Sequence, residues 1–338
     1  MIDRFTHGTQ MKRVASTNIS SMRPLALFLA CSVLVAQEAA TIKVDVDIVN
    51  ILFTVKSKHG GLVGNLEKGD FTLFEEGKQQ DIKYFTRQTD LPLTIGLLID
   101  VSASQGNLIG IEQNAASQFF GSVLRPKDLA FLISFGAEAE LLQDYTSSPK
   151  LLRSGLDGLK VNSSTGGLHP GPVPTVYQPR GTILYDAVQL AASDQLKGQV
   201  GRKVLVLITD GEDQGSRFKI QEAIEAAQKA DAIIYGIYYV DRAFYSQGGW
   251  GFGGVSDGAL RRMAEETGGH VFSVDRKNSL QDIFKQLQDE MRSQYAIGYT
   301  PTNGTKDGSF RKIDIRTGNK EWKVQARKGY YAVQPERQ

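Results

Sequence analysis

The sequence is poor in the side chains that build disulfide bonds and zinc sites. Cys31 is its only cysteine, and its four histidines lie far apart, without His-x-x-His or Glu-x-x-His spacing. Since Cys31 lies in a segment with the pattern of an export signal, we expect the mature chain to contain no disulfide, no thiolate metal site and no cysteine nucleophile. The scattered histidines argue against a zinc hydrolase.

The first 40 residues have the order of features that is typical of a secretory signal peptide. Basic residues precede an apolar stretch of 12 residues, 25–36, and the small residues Ala39 and Ala40 follow it. A helix needs about 20 apolar residues to span a bilayer, so this stretch is too short for an anchor. We therefore predict a signal peptide over residues 1–40, a secreted or periplasmic protein, and no integral membrane span in the mature chain.

The sequence also lacks an excess of either charge. It has 39 basic and 37 acidic residues, and because residues 1–40 hold four of the basic and two of the acidic ones, the remainder has 35 of each. A neutral mature chain gives no global electrostatic reason to expect nucleic acid or an anionic membrane as a partner. With 41% hydrophobic residues, the chain can bury a full globular core.

The common catalytic motifs are missing as well. The glycine-rich residues 248–251 do not follow dinucleotide or P-loop spacing, and no Gly-x-Ser-x-Gly elbow occurs. We therefore do not expect this protein to be an enzyme. A magnesium-dependent phosphohydrolase that uses Asp100 is the minor alternative.

Strand-like and helix-like patterns alternate from residue 93 to about residue 292. This alternation predicts a Rossmann-like α/β domain over residues 91–293, with a mostly parallel sheet and helices on both faces. The predicted strands are residues 93–99, 129–135, 139–145, 204–208, 232–239 and 271–274. The predicted helices are residues 109–123, 150–159, 183–196, 220–229, 258–266 and 280–291.

The segments on either side of this domain have a different rhythm. Residues 41–90 and 294–338 read as short strands separated by glycine-containing turns, such as the turn at residues 75–78. Neither flank has enough strands for a stable sheet of its own. We predict that the two flanks pair into one small β-sandwich.

Oxygen-bearing side chains follow the predicted strands at one edge of the sheet. Asp100, Ser102 and Ser104 come after the apolar run 93–99, Asp210 comes after the run 204–208, and Thr182 precedes a predicted helix. Taken singly, each of these is most simply a helix cap or a turn residue. Because the carboxyl ends of parallel strands share one edge, where ligands bind in open α/β sheets, the residues together predict a site for a hard cation.

These three segments resemble the loops of a von Willebrand factor A (VWFA) domain that form its metal-ion-dependent adhesion site. The resemblance covers about residues 93–291, and the flanks resemble those of bacterial, chiefly acidobacterial, VWFA-related proteins. It implies that Asp100, Ser102, Ser104, Thr182 and Asp210 hold Mg²⁺, or alternatively Mn²⁺ or Ca²⁺, directly or through water. It also implies that an Asp or Glu carboxylate of a protein partner completes the coordination.

The expected function is therefore that of a secreted or periplasmic, metal-dependent protein-binding module of the adhesion type. The alternative is an envelope scaffold whose metal site only stabilises the fold.

Further residues are candidates for supporting roles around the metal. Asp186 and Asp213 are candidates for a second shell of contacts, although acids near helix starts most often interact with the helix dipole. Two long loops, residues 162–180 and 241–257, are expected on the same face, either as a partner-contacting rim or as non-binding inserts. The rim candidates are His169, Tyr245, Trp250 and Phe252.

Overall fold

A computed structural model describes residues 48–88, 91–161, 181–247 and 256–333. The chain divides into a unit of residues Met1–Asp45 and a second unit of residues Val46–Gln338. The first unit, and with it the predicted signal peptide and Cys31, lies outside the described residues. Within the described ranges, no helix is both long and apolar enough to cross a membrane.

The second unit combines an α/β domain with antiparallel strands from both flanks. Its strands are β1 (Val49–Ser57), β2 (Phe71–Glu75), β3 (Lys78–Gln80), β4 (Ile82–Gln88), β5 (Leu93–Asp100), β6 (Leu129–Phe135), β7 (Ala139–Thr146), β8 (Arg202–Thr209), β9 (Ala232–Tyr238), β10 (Val271–Ser273), β11 (Gln294–Tyr299), β12 (Phe310–Thr317), β13 (Trp322–Ala326) and β14 (Gly329–Tyr331). Its helices are α1 (Ile109–Val123), α2 (Pro149–Asp157), α3 (Leu184–Leu190), α4 (Ile220–Lys229), α5 (Arg242–Gln247), α6 (Gly258–Thr267) and α7 (Leu280–Met291), and a π-helical segment, Ala191–Leu196, extends α3.

The central sheet has six strands in the order β10-β9-β8-β5-β6-β7. Its pairings are parallel except that β7 lies antiparallel to β6 at the edge. All eight residues of β5 are buried, which is expected of a central strand covered by helices on both faces. This confirms the predicted Rossmann-like architecture with a mostly parallel sheet.

Alternate residues of the strands supply the two halves of the core. Leu97 and Ile99 of β5 pack in a cluster with α1, α2 and α7, whereas Leu98 packs in the cluster with α3, α4 and α6. Successive side chains of a strand point to opposite faces, so one apolar run serves both helical layers. The carboxyl ends of β5 and β8 are adjacent in this arrangement, because Ile99 pairs with Ile208.

The two flanks form two four-stranded sheets, and each sheet takes strands from both flanks. The first has the order β13-β1-β11-β4 and the second the order β14-β12-β2-β3. Phe53, Leu73, Ile297 and Ile313, which come from both sheets and both flanks, share one buried cluster. A pairing of the two flanks into a small sandwich was predicted, and the observed sheets agree with it.

One element was not predicted. Helix α5 lies where a continuous loop was expected over residues 241–257. It begins directly after Asp241, whose Oδ1 accepts hydrogen bonds from the N–H groups of Ala243 (2.9 Å) and Phe244 (3.3 Å). An acceptor of this kind before the first turn satisfies free N–H groups and stabilises a helix start. The other predicted loop, residues 162–180, lies outside the described residues.

Candidate metal site

Asp100 is the last residue of β5 and is fully buried. Its Oδ1 accepts a hydrogen bond from the N–H of Ser102 (2.9 Å), and its Oδ2 accepts one from Oγ1 of Thr209 (2.6 Å). The first bond turns the chain sharply out of the sheet, as Asp side chains often do at strand ends. The second joins the ends of two neighbouring strands, since Thr209 is the last residue of β8.

A chain of hydroxyl groups connects the two strand ends a second time. The Oγ atoms of Ser102 and Ser104 lie 3.0 Å apart, and Ser104 donates a hydrogen bond to Oδ2 of Asp210 (2.6 Å). The Oδ1 of Asp210 accepts the N–H of Glu212 (3.2 Å). Four of the five predicted metal-site residues, Asp100, Ser102, Ser104 and Asp210, are therefore brought together at the carboxyl edge of the sheet.

Thr182, the fifth residue, is held at the same edge by its backbone. Its carbonyl accepts hydrogen bonds from the N–H groups of Gln214 (2.9 Å) and Gly215 (3.1 Å), in the loop that follows Asp210. The next residue, Ile183, donates its N–H to the carbonyl of Gly136 (2.9 Å), just beyond β6. Since α3 begins only at Leu184, and the hydroxyl that serves its first turn comes from Ser216, Thr182 is free of the capping role that it would have taken alone.

Ser216, Asp213 and Asp186 fasten these two loops to each other. The Oγ of Ser216 accepts the N–H groups of Tyr185 (3.0 Å) and Asp186 (3.1 Å), and it donates to Oδ1 of Asp213 (2.5 Å). In return, Oδ1 of Asp186 accepts the N–H groups of Arg217 (2.8 Å) and Phe218 (3.0 Å). Asp186 and Asp213 thus bond across the two loops and position the segment that carries Thr182.

The site concentrates negative charge away from water. Burial, followed by the nearby charge of Asp210, raises the pKa of Asp100 to about 7, even though Thr209 and Ser102 donate hydrogen bonds that lower it. Asp210 is itself only 1% exposed. Two buried like charges are unfavourable together, and a bound cation would remove that cost.

The set of donor atoms fits a hard divalent cation. It offers carboxylates from Asp100 and Asp210 and hydroxyls from Ser102, Ser104 and Thr182, all of them oxygen. Among the described residues, no group of three or more His, Cys, Asp or Glu side chains could hold a metal. Mg²⁺ suits such a set, because it keeps several waters and uses one or two carboxylates.

Tyr245 reaches into this group of residues from α5. Its hydroxyl donates a hydrogen bond to Oδ2 of Asp210 (2.8 Å). The sequence suggested Tyr245 only as a rim residue, and this direct bond to Asp210 was not predicted. The other rim candidates, His169, Trp250 and Phe252, lie outside the described residues.

Glu112 is a buried acid behind the site that the sequence analysis did not single out. It lies on the buried face of α1 with Ile109 and Ala116, and both its carboxylate oxygens lack a hydrogen-bond partner within the described part of the chain. Burial, with a smaller contribution from the charge of Asp100, raises its pKa well above the ordinary value. The sequence signal that could have identified Glu112 is its position among the apolar residues on one face of the predicted helix over residues 109–123.

Comparisons with known proteins agree with the fold. Two family models, both described as the von Willebrand factor type A domain, match residues 173–286 and residues 95–212. Integrin alpha-X of Mus musculus is 34% identical over 105 residues, which are 31% of this chain and only 8% of that protein.

The fold is also similar to solved structures at low sequence identity. BatB of Bacteroides thetaiotaomicron is 18% identical with a TM-score of 0.44, and the similarity covers 59% of this chain and 97% of BatB. Proximal thread matrix protein 1 of the mussel byssus is 14% identical with a TM-score of 0.48, over 64% of this chain and 51% of that one. On the family models, which together span residues 95–286, this chain is a von Willebrand factor type A domain protein.

Proposed function

We propose that the protein is a divalent-metal-dependent protein-binding module that captures an Asp or Glu carboxylate of its partner. The observation that carries this proposal is the hydroxyl chain from Ser102 through Ser104 to Asp210, beside the buried Asp100. With Thr182 it makes a site of three hydroxyls and two carboxylates. The proposed metal is Mg²⁺, with Mn²⁺ or Ca²⁺ as alternatives.

The composition of the site favours binding a partner through the metal. Hydroxyl ligands are neutral, so a divalent cation held by Ser102, Ser104 and Thr182 retains much of its positive charge. A partner's carboxylate is then an attractive further ligand, since hard cations prefer charged oxygen donors. The pattern of the first 40 residues supports a secreted or periplasmic setting for this interaction.

A second candidate function is that of a scaffold whose metal only stabilises the fold. It is favoured by the way in which the site joins separate loops, because Thr209 and Ser104 already link the ends of β5 and β8. A cation would add a further cross-link among the same segments.

The minor phosphohydrolase alternative is tested by assaying release of phosphate from an aryl phosphate in the presence of Mg²⁺.

A capture experiment separates binding from scaffolding. The immobilised mature chain is incubated with envelope extract in Mg²⁺ or in EDTA. The wild type is compared with Asp100→Ala and with the control Asp81→Ala, because Asp81 is an exposed aspartate of the N-terminal flank. We expect a captured protein that disappears with EDTA and with Asp100→Ala but not with Asp81→Ala. Capture that is indifferent to EDTA and to Asp100→Ala would contradict the binding function, and a rise in melting temperature with Mg²⁺ without any capture would favour the scaffold.

A further inference from the structure

The hydroxyl of Tyr245 shares one oxygen of Asp210 with a residue of the metal site. Oδ2 of Asp210 accepts the hydroxyl of Ser104 at 2.6 Å and that of Tyr245 at 2.8 Å. A carboxylate oxygen has two lone pairs and therefore two good acceptor positions. Both positions on this oxygen are filled from within the protein.

The two donors differ in what they can do when a cation is present. Ser104 can turn its oxygen towards a cation while its hydrogen still points at Asp210, so its bond is compatible with metal binding. Tyr245 only fills a position that a cation, or the hydrogen of a cation-bound water, would otherwise occupy on Oδ2. The phenol is therefore the donor that must leave if Oδ2 is to take part in coordination.

Helix α5 is tied to the loop of the metal site at a second point. Oδ2 of Asp241 accepts a hydrogen bond from Nδ2 of Asn107 (2.6 Å), and Asn107 lies three residues after Ser104 in the sequence. The carbonyl of Asp241 also accepts the N–H of Tyr245 (3.3 Å). These two hydrogen bonds fix the position of α5, and the position of α5 places the phenol of Tyr245 over Asp210.

The helix that carries Tyr245 is poorly anchored elsewhere. It has six residues, and Phe244 beside Tyr245 is 42% exposed. Short segments with few buried side chains open at low free-energy cost. A displacement of α5 would take the phenol away from Asp210 without disturbing β5 or β8.

We propose that Tyr245 is an internal cap of the metal site, which occupies Asp210 until a divalent cation displaces it. This inference rests on the proposed metal-dependent function. It assigns to the chain a built-in competitor that lowers the resting affinity of the site. The residues that set the strength of this competition are Tyr245 itself and the Asn107–Asp241 pair that holds α5.

The test is a calorimetric titration of the mature chain with MnCl₂, in the wild type, Tyr245→Phe, Asn107→Ala and the control Tyr84→Phe. Tyr84 is an exposed tyrosine on β4. Removing the phenol oxygen should tighten Mn²⁺ binding three- to tenfold, and tenfold corresponds to about 1.4 kcal/mol. Asn107→Ala, which leaves the phenol intact but loosens α5, should change the affinity in the same direction, and Tyr84→Phe should leave it unchanged.

An ultraviolet difference spectrum gives a readout that a merely structural tyrosine would not. Mn²⁺ should perturb tyrosine absorption in the wild type as the phenol leaves the carboxylate, and this signal should vanish in Tyr245→Phe. Mn²⁺ binding that is unchanged or weaker in Tyr245→Phe, with wild-type binding intact, would overturn the cap alone. If the wild type, Tyr245→Phe and Asn107→Ala all fail to bind Mn²⁺, the proposed metal-dependent function fails together with the proposed cap.

Discussion

Asp100 ends β5 and Asp210 directly follows β8, the neighbouring strand of the central sheet, and burial together with the charge of Asp210 raises the pKa of Asp100 to about 7. The folded protein therefore holds a proton on Asp100 more tightly than the unfolded chain does. Without metal, this group stabilises the fold below about pH 4, and its contribution is lost as the pH rises towards about 7. Mg²⁺ should offset the loss, since it favours the ionised form.

This linkage is measured by urea unfolding between pH 4 and 8, with EDTA and then with saturating Mg²⁺. In EDTA, the free energy of unfolding of the wild type should fall with rising pH relative to that of Asp100→Asn, which cannot ionise at this position. The difference in slope should shrink in Mg²⁺. Equal slopes for the two proteins in EDTA would contradict the assignment of the raised pKa to Asp100.

Ser216→Ala should weaken metal binding from outside the set of ligands. The substitution removes the acceptor for the N–H group of Asp186 and one of the two acceptors for that of Tyr185 at the start of α3, and loss of such a cap costs about 1 kcal/mol. It also loosens the loop that carries Thr182, and loss of groups that orient metal ligands typically lowers affinity about tenfold or more.

The measurements for Ser216→Ala are Mn²⁺ affinity by calorimetry and stability by urea unfolding. Ser309→Ala is the matched control, because Ser309 makes a comparable bond to Asp307 in an exposed turn of the C-terminal flank. A loss of stability without any loss of Mn²⁺ affinity would show that the Ser216 contacts do not position Thr182.

The sequence pattern was most informative where elements are long. The predicted helix over residues 109–123 matches α1 because its apolar residues recur on one face, and the predicted strand over residues 129–135 matches β6. Helix α5 was missed because six residues are too few to show a helical period, and glycines follow closely in the sequence. Its start depends on Asp241, a signal that is as common in turns as at helix starts.

The site shows the same division between local and long-range information. Asp100, Ser102, Ser104 and Asp210 could be predicted to meet, because parallel strands that end at one edge bring their following residues together. Their role as metal ligands stays a prediction. The bonds from Thr209 to Asp100 and from Tyr245 to Asp210 join residues that are 109 and 35 positions apart. Threonine is common in strands and tyrosine is common in loops. The local sequence around Thr209 and Tyr245 therefore does not predict these long-range hydrogen bonds.

Lys56→Met should destabilise the protein strongly, because it leaves the buried carboxylate of Glu290 without its lysine. Glu290, on α7, is 2% exposed, and its carboxylate lies 2.7 Å from Nζ of Lys56 on β1. His270 (3.4 Å) and Gln325 (3.2 Å) contact the same carboxylate, so this one side chain joins the α/β domain to the flanking strands. Breaking a buried ion pair from one side costs about 3 kcal/mol or more.

The experiment is a double-mutant cycle with Lys56→Met and Glu290→Gln, read by urea unfolding. The double variant should be less destabilised than the sum of the single variants, because neither charge is then left alone. Lys58→Met is the matched control, since Lys58 and Glu321 form an exposed pair that contributes about 0–1 kcal/mol. Strict additivity in the cycle would mean that the Lys56–Glu290 contact carries no energy of its own.

Gly215→Ala should separate the two loops that hold Thr182 beside Asp210. A Cβ atom at position 215 would lie 2.7 Å from the carbonyl oxygen and 3.1 Å from the nitrogen of Gly181, and neither backbone atom can move without moving Thr182. We expect Mn²⁺ affinity to fall about tenfold or more, by the same loss of ligand orientation as in Ser216→Ala. Gly304→Ala, at a position where an added Cβ meets nothing within 4 Å, is the control and should bind Mn²⁺ like the wild type. Unchanged Mn²⁺ affinity in a folded Gly215→Ala protein would remove Thr182 from the set of residues on which the metal depends.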